Sequence, residues 1–287
     1  MRIGFIHNIF PVLSQTFITK EMTGLAERGL DIQIYSLFKP NTNDPARKRS
    51  TNLFSVCYVL SDLTLISAHI RALFFSPIRY FSTWFYACTS RENPSSFIKT
   101  LFKFLKNKDM NKTERQDMLL HFFLAVPLAI KMHKDGVTLI NSHFADAAAS
   151  FALLCARLLN LPYGVTAHAY DIFTPQYNLH EKISNAEFVL TCTKFNKTYF
   201  SERFPEFDPD KFHVFYHGIN TGRFKPCDRR EKNNTMNLLS VGRLVHKKGF
   251  GILIGACQLL QNRDIPFQCH IIGDGPLHPE LKRMIEN

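Results

Sequence analysis

The sequence predicts an α/β protein with a doubly wound parallel-sheet domain over residues 1–220 and the start of a second α/β domain over 236–287. Three observations lead there. Apolar strands and helix-spaced segments alternate along most of the chain, which is the signature of βαβ units and a parallel sheet. A polar, charged stretch at 221–235, with Lys225, Pro226, Asp228, Arg229, Arg230, Glu231, Lys232, Asn233 and Asn234, reads as a linker. The residues most suited to chemistry follow directly on strand ends, where open α/β sheets bind their ligands.

In chain order, Arg2–Ile6 reads as a short buried strand. Phe17, Ile18, Met22, Leu25 and Ala26 give Thr16–Arg28 a helical spacing, closed by Gly29. Asp31–Leu37 alternates as a second strand. The rhythm returns with strand Thr138–Asn141, helix Ala147–Leu159 and strand Tyr163–Ala167. It continues with strand Phe188–Cys192, helix Lys194–Phe204 capped by Thr193, and strand Phe212–Tyr216. Beyond the linker come strand Asn237–Val241, helix Phe250–Asn262, strand Phe267–Ile272 and a helix opening near Leu277.

A basic, aromatic, helical insert at 64–130 interrupts this pattern. Within 64–108 there are seven basic residues (Arg71, Arg79, Arg91, Lys99, Lys103, Lys106, Lys108) against Glu92 alone, with aromatics that include Phe74, Phe75, Trp84, Phe85 and Phe102. In Ser95–Lys108, Ile98, Leu101, Phe102 and Leu105 share one helical face and Lys99, Lys103 and Lys106 another. That pattern suits either an anionic membrane surface or an apolar face packed on the domain with solvated lysines. Interleaved Phe and Lys also suit single-stranded nucleic acid, but no recognition fold accompanies them and no nucleic-acid partner is expected.

Apolar residues at 45% and charged ones at 21% mark a globular chain, and a formal net charge of +11 invites an anionic partner. The seven cysteines form no C-x-x-C pair, which argues for a reducing compartment and against structural zinc. No apolar run approaches the roughly 20 residues that span a bilayer, and the N-terminus turns polar at His7 and Asn8. A cytoplasmic protein, with peripheral contact at the inner membrane, is the expectation.

The densest signal is Val241-Gly242-Arg243-Leu244-Val245-His246-Lys247-Lys248-Gly249, followed by Ile271-Ile272-Gly273-Asp274-Gly275-Pro276. A strand that empties into a helix N-terminus offers free N–H groups and a positive dipole end. Arg243 and Lys248 at that tip make a receptor for a diphosphate; an ordinary βαβ turn with solvated cations is the plainer alternative. The run resembles the donor-site entry of glycosyltransferase family 4. Phe10-Pro11-Val12-Leu13-Ser14-Gln15-Thr16-Phe17-Ile18 with Glu21, Ser142-His143-Phe144-Ala145, Thr166-Ala167-His168-Ala169-Tyr170-Asp171-Ile172-Phe173 and His217-Gly218-Ile219-Asn220 extend the likeness to bacterial exopolysaccharide and colanic-acid-type transferases.

The resemblance implies a GT-B fold: a complete N-terminal Rossmann-like domain and a truncated start of a second, with substrate between the two sheet edges. It implies retaining transfer of a sugar from a nucleotide-diphosphate sugar to a glycan or polyprenyl-diphosphate-linked acceptor, in exopolysaccharide, colanic acid or lipopolysaccharide assembly. Arg243, Lys248, Gly242, Gly249, Gly273, Asp274 and Gly275 match the donor side, with Lys247 ranked lower. His168 matches the acceptor-domain histidine near the reacting carbon, and is the candidate catalytic residue with Arg243 and Lys248. Ser14, Gln15 and Thr16 occupy the first substrate loop or cap the first helix. His143 lines the cleft, Asp171 contacts an acceptor hydroxyl or caps its own turn, and His217 and Gly218 shape the domain junction. No metal or other cofactor is implied, because fixed cations supply the positive charge.

The family continues for about another hundred residues, with a Glu-x₇-Glu motif that this chain does not reach. Weak or absent activity of the chain alone is therefore the expectation, with a catalytically inactive membrane- or acceptor-binding fragment as the alternative. A nicotinamide-dependent oxidoreductase is disfavoured, because neither first βα turn carries Gly-x-Gly-x-x-Gly.

Overall fold

A computed structural model describes residues 1–40, 54–59, 99, 102–103, 106, 110–174, 176–222, 224–226 and 235–286. The chain divides into two compact units, Met1–Gly218 and Ile219–Asn287.

The first unit is built on seven parallel strands: β1 (Arg2–Ile9), β2 (Asp31–Phe38), β3 (Val56–Tyr58), β4 (Leu139–His143), β5 (Tyr163–Ala167), β6 (Phe188–Thr191) and β7 (Phe212–Val214). Their order is β3-β2-β1-β4-β5-β6-β7, so the winding reverses between β1 and β4. A crevice opens at the carboxyl ends of the strands that flank such a reversal, and ligands of open α/β sheets sit there. Among the described residues, helices α1 (Thr16–Glu27), α2 (Lys112–Lys134), α3 (Ala147–Leu159), α4 (Ala169–Phe173), α5 (Leu179–Ser184) and α6 (Lys194–Arg203) accompany the sheet.

The local chemistry explains the element boundaries. Gly29, at φ +83°, lets the chain leave α1, and Asn160 takes the left-handed conformation that closes α3. Eleven of the thirteen α3 residues are buried, so it is apolar all round rather than striped. Ile140, Val165, Phe151 and Leu154 meet residues of α2 in one core. Thr193 caps α6, its hydroxyl accepting from the Asn196 N–H at 3.0 Å.

Several elements differ from the sequence reading. Residues 112–130, assigned there to the basic insert, belong to α2, a 23-residue helix that packs against the core. It opens with an Asn111–Glu114 capping box and carries Pro127 internally, which breaks the apparent periodicity. Strand β1 runs three residues further than expected, so His7 lies inside it rather than beyond it. Strand β3 and the short helices α4 and α5 were not read at all. Of the expected amphipathic helix, Lys99, Phe102, Lys103 and Lys106 are helical and exposed, and Lys103 pairs with Glu181 at 3.3 Å. Ile98, Leu101, Leu105, Arg71, Arg79, Arg91 and Trp84 lie outside the described residues, as does most of the linker. Among the described residues no helix is long and apolar enough to cross a membrane.

The second unit pairs β8 (Met236–Val241) with β9 (Phe267–Ile272) in parallel, joined by α7 (Phe250–Gln261) and followed by α8 (His278–Glu286). Leu244, Phe250 and Leu281 form its small core, with Leu253, Ile254, Ile271 and Leu277 packed around them. Leu239, Val241 and Ile272 are exposed.

Candidate active site

Parallel strands place their carboxyl ends on one edge, and in the first unit that edge carries four histidines. His7 lies near the end of β1, His143 ends β4, His168 follows β5 and His217 comes three residues after β7. Their rings form a stack: His7 on His143 at 5.1 Å, His143 on His168 at 5.6 Å, and His168 on His217 at 5.6 Å between centroids. Phe5 and Phe10 flank the inner end, and Phe17 of α1 packs on His168 and His217 at the outer end. The stack thus begins in the core at the winding reversal and ends in solvent at His217.

Burial fixes the charge state of this column. Desolvation pushes His7 and His168 down to about 3, with like-charge repulsion from His168 and from His217, respectively, adding to it. His143 is lowered well below its ordinary value by the same cause. All three are neutral at physiological pH. His143 Nδ1 lies 3.3 Å from His168 Nε2, while its Nε2 stands 3.6 Å from the Glu21 carboxylate, beyond hydrogen-bond reach. Burial raises that carboxyl to about 7.

Asp171 holds His168 in place. Its two oxygens accept from the Ala145 N–H at 2.6 Å and the His168 N–H at 2.8 Å, tying the loop after β4 to the loop after β5. The side chain is fully buried, so its carboxylate organises these loops and faces no solvent. Burial lifts Asp171 to about 7, and the two amide bonds oppose that rise. Phe144, at φ +73°, makes the turn that brings Ala145 to this carboxylate; such a backbone is strained for a non-glycine residue. A buried lysine completes the support. Lys182 Nζ donates to the carbonyls of Ala145 and Asp146 at 3.1 and 2.9 Å, and desolvation lowers it to about 8.

In the second unit the two glycine runs are zipped together. The Gly242 N–H donates to Ile272 O at 3.0 Å, the Leu244 N–H to Asp274 O at 2.9 Å, and the Leu277 N–H to Leu244 O at 3.1 Å. A Cβ on Gly273 would stand 1.8 Å from the Gly242 carbonyl oxygen, so only glycine permits this approach. Gly249, at φ +70°, ends a 3₁₀ turn of His246–Lys248 and opens α7 with no side-chain cap. The Lys248 stem lies near Gly242, with Lys248 and Arg243 both exposed. The Asp274 carboxylate accepts from the Gly275 N–H at 2.7 Å, shaping the turn.

The sequence-derived residues therefore fall into two groups in two units. His143, His168 and Asp171 form one constellation, and Gly242, Arg243, Lys248, Gly249, Gly273, Asp274 and Gly275 form the other. Ser14 and Thr16 are exposed at the start of α1, and Gln15, its N-cap residue, makes no side-chain capping bond. His143 is wholly buried and serves as a neighbour of His168 rather than as cleft lining. Sequence reasoning missed the roles of His7 and Lys182. Lys182 had a legible signal: it sits three residues after Leu179 and one before Ile183, on the buried face of α5.

Residues 105–223 match the family model Glycosyltransferase Family 4, and residues 225–287 match Glycosyl transferases group 1. The chain belongs to the glycosyltransferases. WcaL of Escherichia coli K12, named as a colanic acid biosynthesis glycosyltransferase, is 23% identical over the whole chain. A glycosyltransferase from Rickettsia africae ESF-5 superposes with a TM-score of 0.60 at 16% identity over 99% of the chain. Alr3699/HepE from Anabaena, solved in complex with UDP-glucose, gives 0.57 at 15% identity over 100% of it. The fold is α/β of the GT-B class. The chain spans about two thirds of these relatives' lengths: 67% of WcaL, 64% of the Rickettsia chain and 65% of the Anabaena chain.

Proposed function

We propose that this glycosyltransferase chain moves a sugar, with retention at the anomeric carbon, from a nucleoside-diphosphate donor to a hydroxyl of a glycan or polyprenyl-diphosphate-linked acceptor in cell-surface polysaccharide assembly. The observation that carries this reading is the zipped glycine pair, which leaves Arg243, Lys248 and the uncapped N-terminus of α7 on one loop system. The difficult moment of transfer is departure of the diphosphate while the sugar becomes oxocarbenium-like. Fixed cations and backbone dipoles aimed at that growing charge lower the barrier most. Arg243 and Lys248 supply this charge in place of a metal cofactor.

His168 is the first unit's contribution. As a neutral imidazole it offers one donor and one acceptor to the sugar or phosphate near the reacting carbon. Its backbone is held by Asp171 and its ring is packed between His143 and His217. The name of WcaL supports polysaccharide as the product class, and the UDP-glucose in the Anabaena structure supports a uridine diphosphate sugar as the first donor to test. A polyprenyl-linked acceptor would place the chain at the inner membrane surface, where Lys99 and Lys106 face solvent.

The test is transfer by the purified chain with a panel of UDP-sugars and polyprenyl-diphosphate acceptors. His168→Ala and Lys248→Ala should each lower turnover by about 10²–10³, the usual worth of one transition-state donor. Undiminished turnover in either variant contradicts the assignment of that residue.

A further inference from the structure

The outer end of the histidine stack meets a thiol. Cys192 directly follows β6 and lies on the same sheet edge, between the loops that carry His168 and His217. One ligand atom from each of His168, Cys192 and His217 falls within 4.8 Å of the other two. We propose that these three residues form a binding site for a borderline-soft divalent cation of the zinc type, and that its occupancy withdraws His168 from sugar transfer.

The donor set itself selects the metal. Two imidazoles and one thiolate suit zinc, and three protein ligands leave a fourth tetrahedral position open. Bonds of 2.0–2.3 Å imply ligand separations of roughly 3.3–3.8 Å, so the cluster has to contract by about 1 Å. His217 is exposed and touches only the Phe17 and His168 rings among the aromatic contacts described, so it is the ligand that would have to move, whereas His168 is buried and held by its backbone bond to Asp171. The surroundings also match an outer coordination shell. His168 Nε2 faces His143 Nδ1 at 3.3 Å with the Glu21 carboxylate behind it, which leaves Nδ1 of His168 for the metal and gives its N–H an acceptor. On the thiol side, Asn196 Nδ2 lies 3.7 Å from Cys192 Sγ, a donor suited to a sulfur that has become a thiolate. On binding, the Cys192 S–H bond breaks, a sulfur–metal bond forms and the proton leaves to solvent.

Binding stands on this geometry alone, whereas the inhibitory consequence rests on the proposed role of His168. Titration of the reduced full chain with Co²⁺ therefore comes first. The expected result is a saturable one-to-one thiolate-to-cobalt charge-transfer absorption, displaced by Zn²⁺ and absent in Cys192→Ser. His217→Gln should weaken Co²⁺ by more than the roughly 10–100-fold that an outer-shell partner is worth. Cys257 and Cys269 of the second unit lie side by side and are a competing thiol pair among the described residues. A spectrum that survives in Cys192→Ser, or no saturable spectrum at all, overturns the site. The second arm measures transfer: stoichiometric Zn²⁺ should abolish wild-type turnover, with recovery on chelation, and leave Cys192→Ser active. Binding without inhibition keeps the site and overturns its regulatory consequence.

Discussion

The His168 imidazole, through Nε2, lies 3.3 Å from Nδ1 of His143, and burial keeps both rings neutral. One ring must then donate and the other accept, which ties the tautomer of the candidate catalytic histidine to a residue with no solvent exposure. His143→Phe would preserve the stack on Phe5 and His7 while removing the nitrogen. The expected outcome is a fall in kcat of about tenfold, one neutral hydrogen bond's worth, with little change in KM. Steady-state kinetics of His143→Phe against wild type, with donor and acceptor concentrations each varied, would show it; an unchanged kcat would mean that the tautomer does not matter.

Asp171 satisfies two buried amides, so its loss leaves both without a partner. Asp171→Ala should destabilise the first unit by about 2–6 kcal/mol, at about 1–3 kcal/mol for each of the two orphaned amides. Asp171→Asn offers one oxygen for two donors and should fall between the variant and the wild type. Urea unfolding measures both. A loss below about 0.5 kcal/mol in the alanine variant would show that the loops after β4 and β5 are held by something else.

His121 gives a pH prediction away from the site. It sits in α2 against Phe151, and burial, with a smaller contribution from Lys182, lowers it from 6.5 to about 4. As pH falls below 6.5 the unfolded chain takes up this proton first, so the unfolded state gains. The associated stability is present above pH 6.5 and is lost between 6.5 and about 4, for up to about 3 kcal/mol. In His121→Leu the stability–pH curve should be flatter by that amount across the window. A variant curve parallel to the wild type would place the acid sensitivity elsewhere.

Gly273→Ala tests the zipped loops. Its Cβ would strike the Gly242 carbonyl oxygen, so backbone must move rather than a flexible side chain. UDP affinity should drop at least tenfold, while the first unit's unfolding transition stays put. Retained affinity would mean that the pairing of the two glycine runs is not what shapes the phosphate receptor.

Much of this architecture was legible because parallel strands advertise themselves as short apolar runs. β5, α3 and β9 carry the bounds read from sequence, for Tyr163–Ala167, Ala147–Leu159 and Phe267–Ile272 are closed by polar residues, proline or glycine. α2 was hidden because its two-sided burial and Pro127 erase the stripe that marks a surface helix. The glycine loops could be read since backbone needs of that kind are local. The histidine stack could not. His7, His143, His168 and His217 come together only through the strand order, and nothing in their spacing announces it. The burial of Lys182 was legible from its place between Leu179 and Ile183, but its partners were not, since they are carbonyls 36 and 37 residues away.

The most direct measurement is calorimetric titration of the chain with UDP, UMP and uridine, repeated on Arg243→Ala and Lys248→Ala. The expected result is that UDP binds the wild type well above UMP and uridine, and that each substitution removes most of this increment while leaving uridine unchanged. If UDP and uridine bind alike, or if both variants keep the full increment, the cationic loop between β8 and α7 is not a diphosphate receptor.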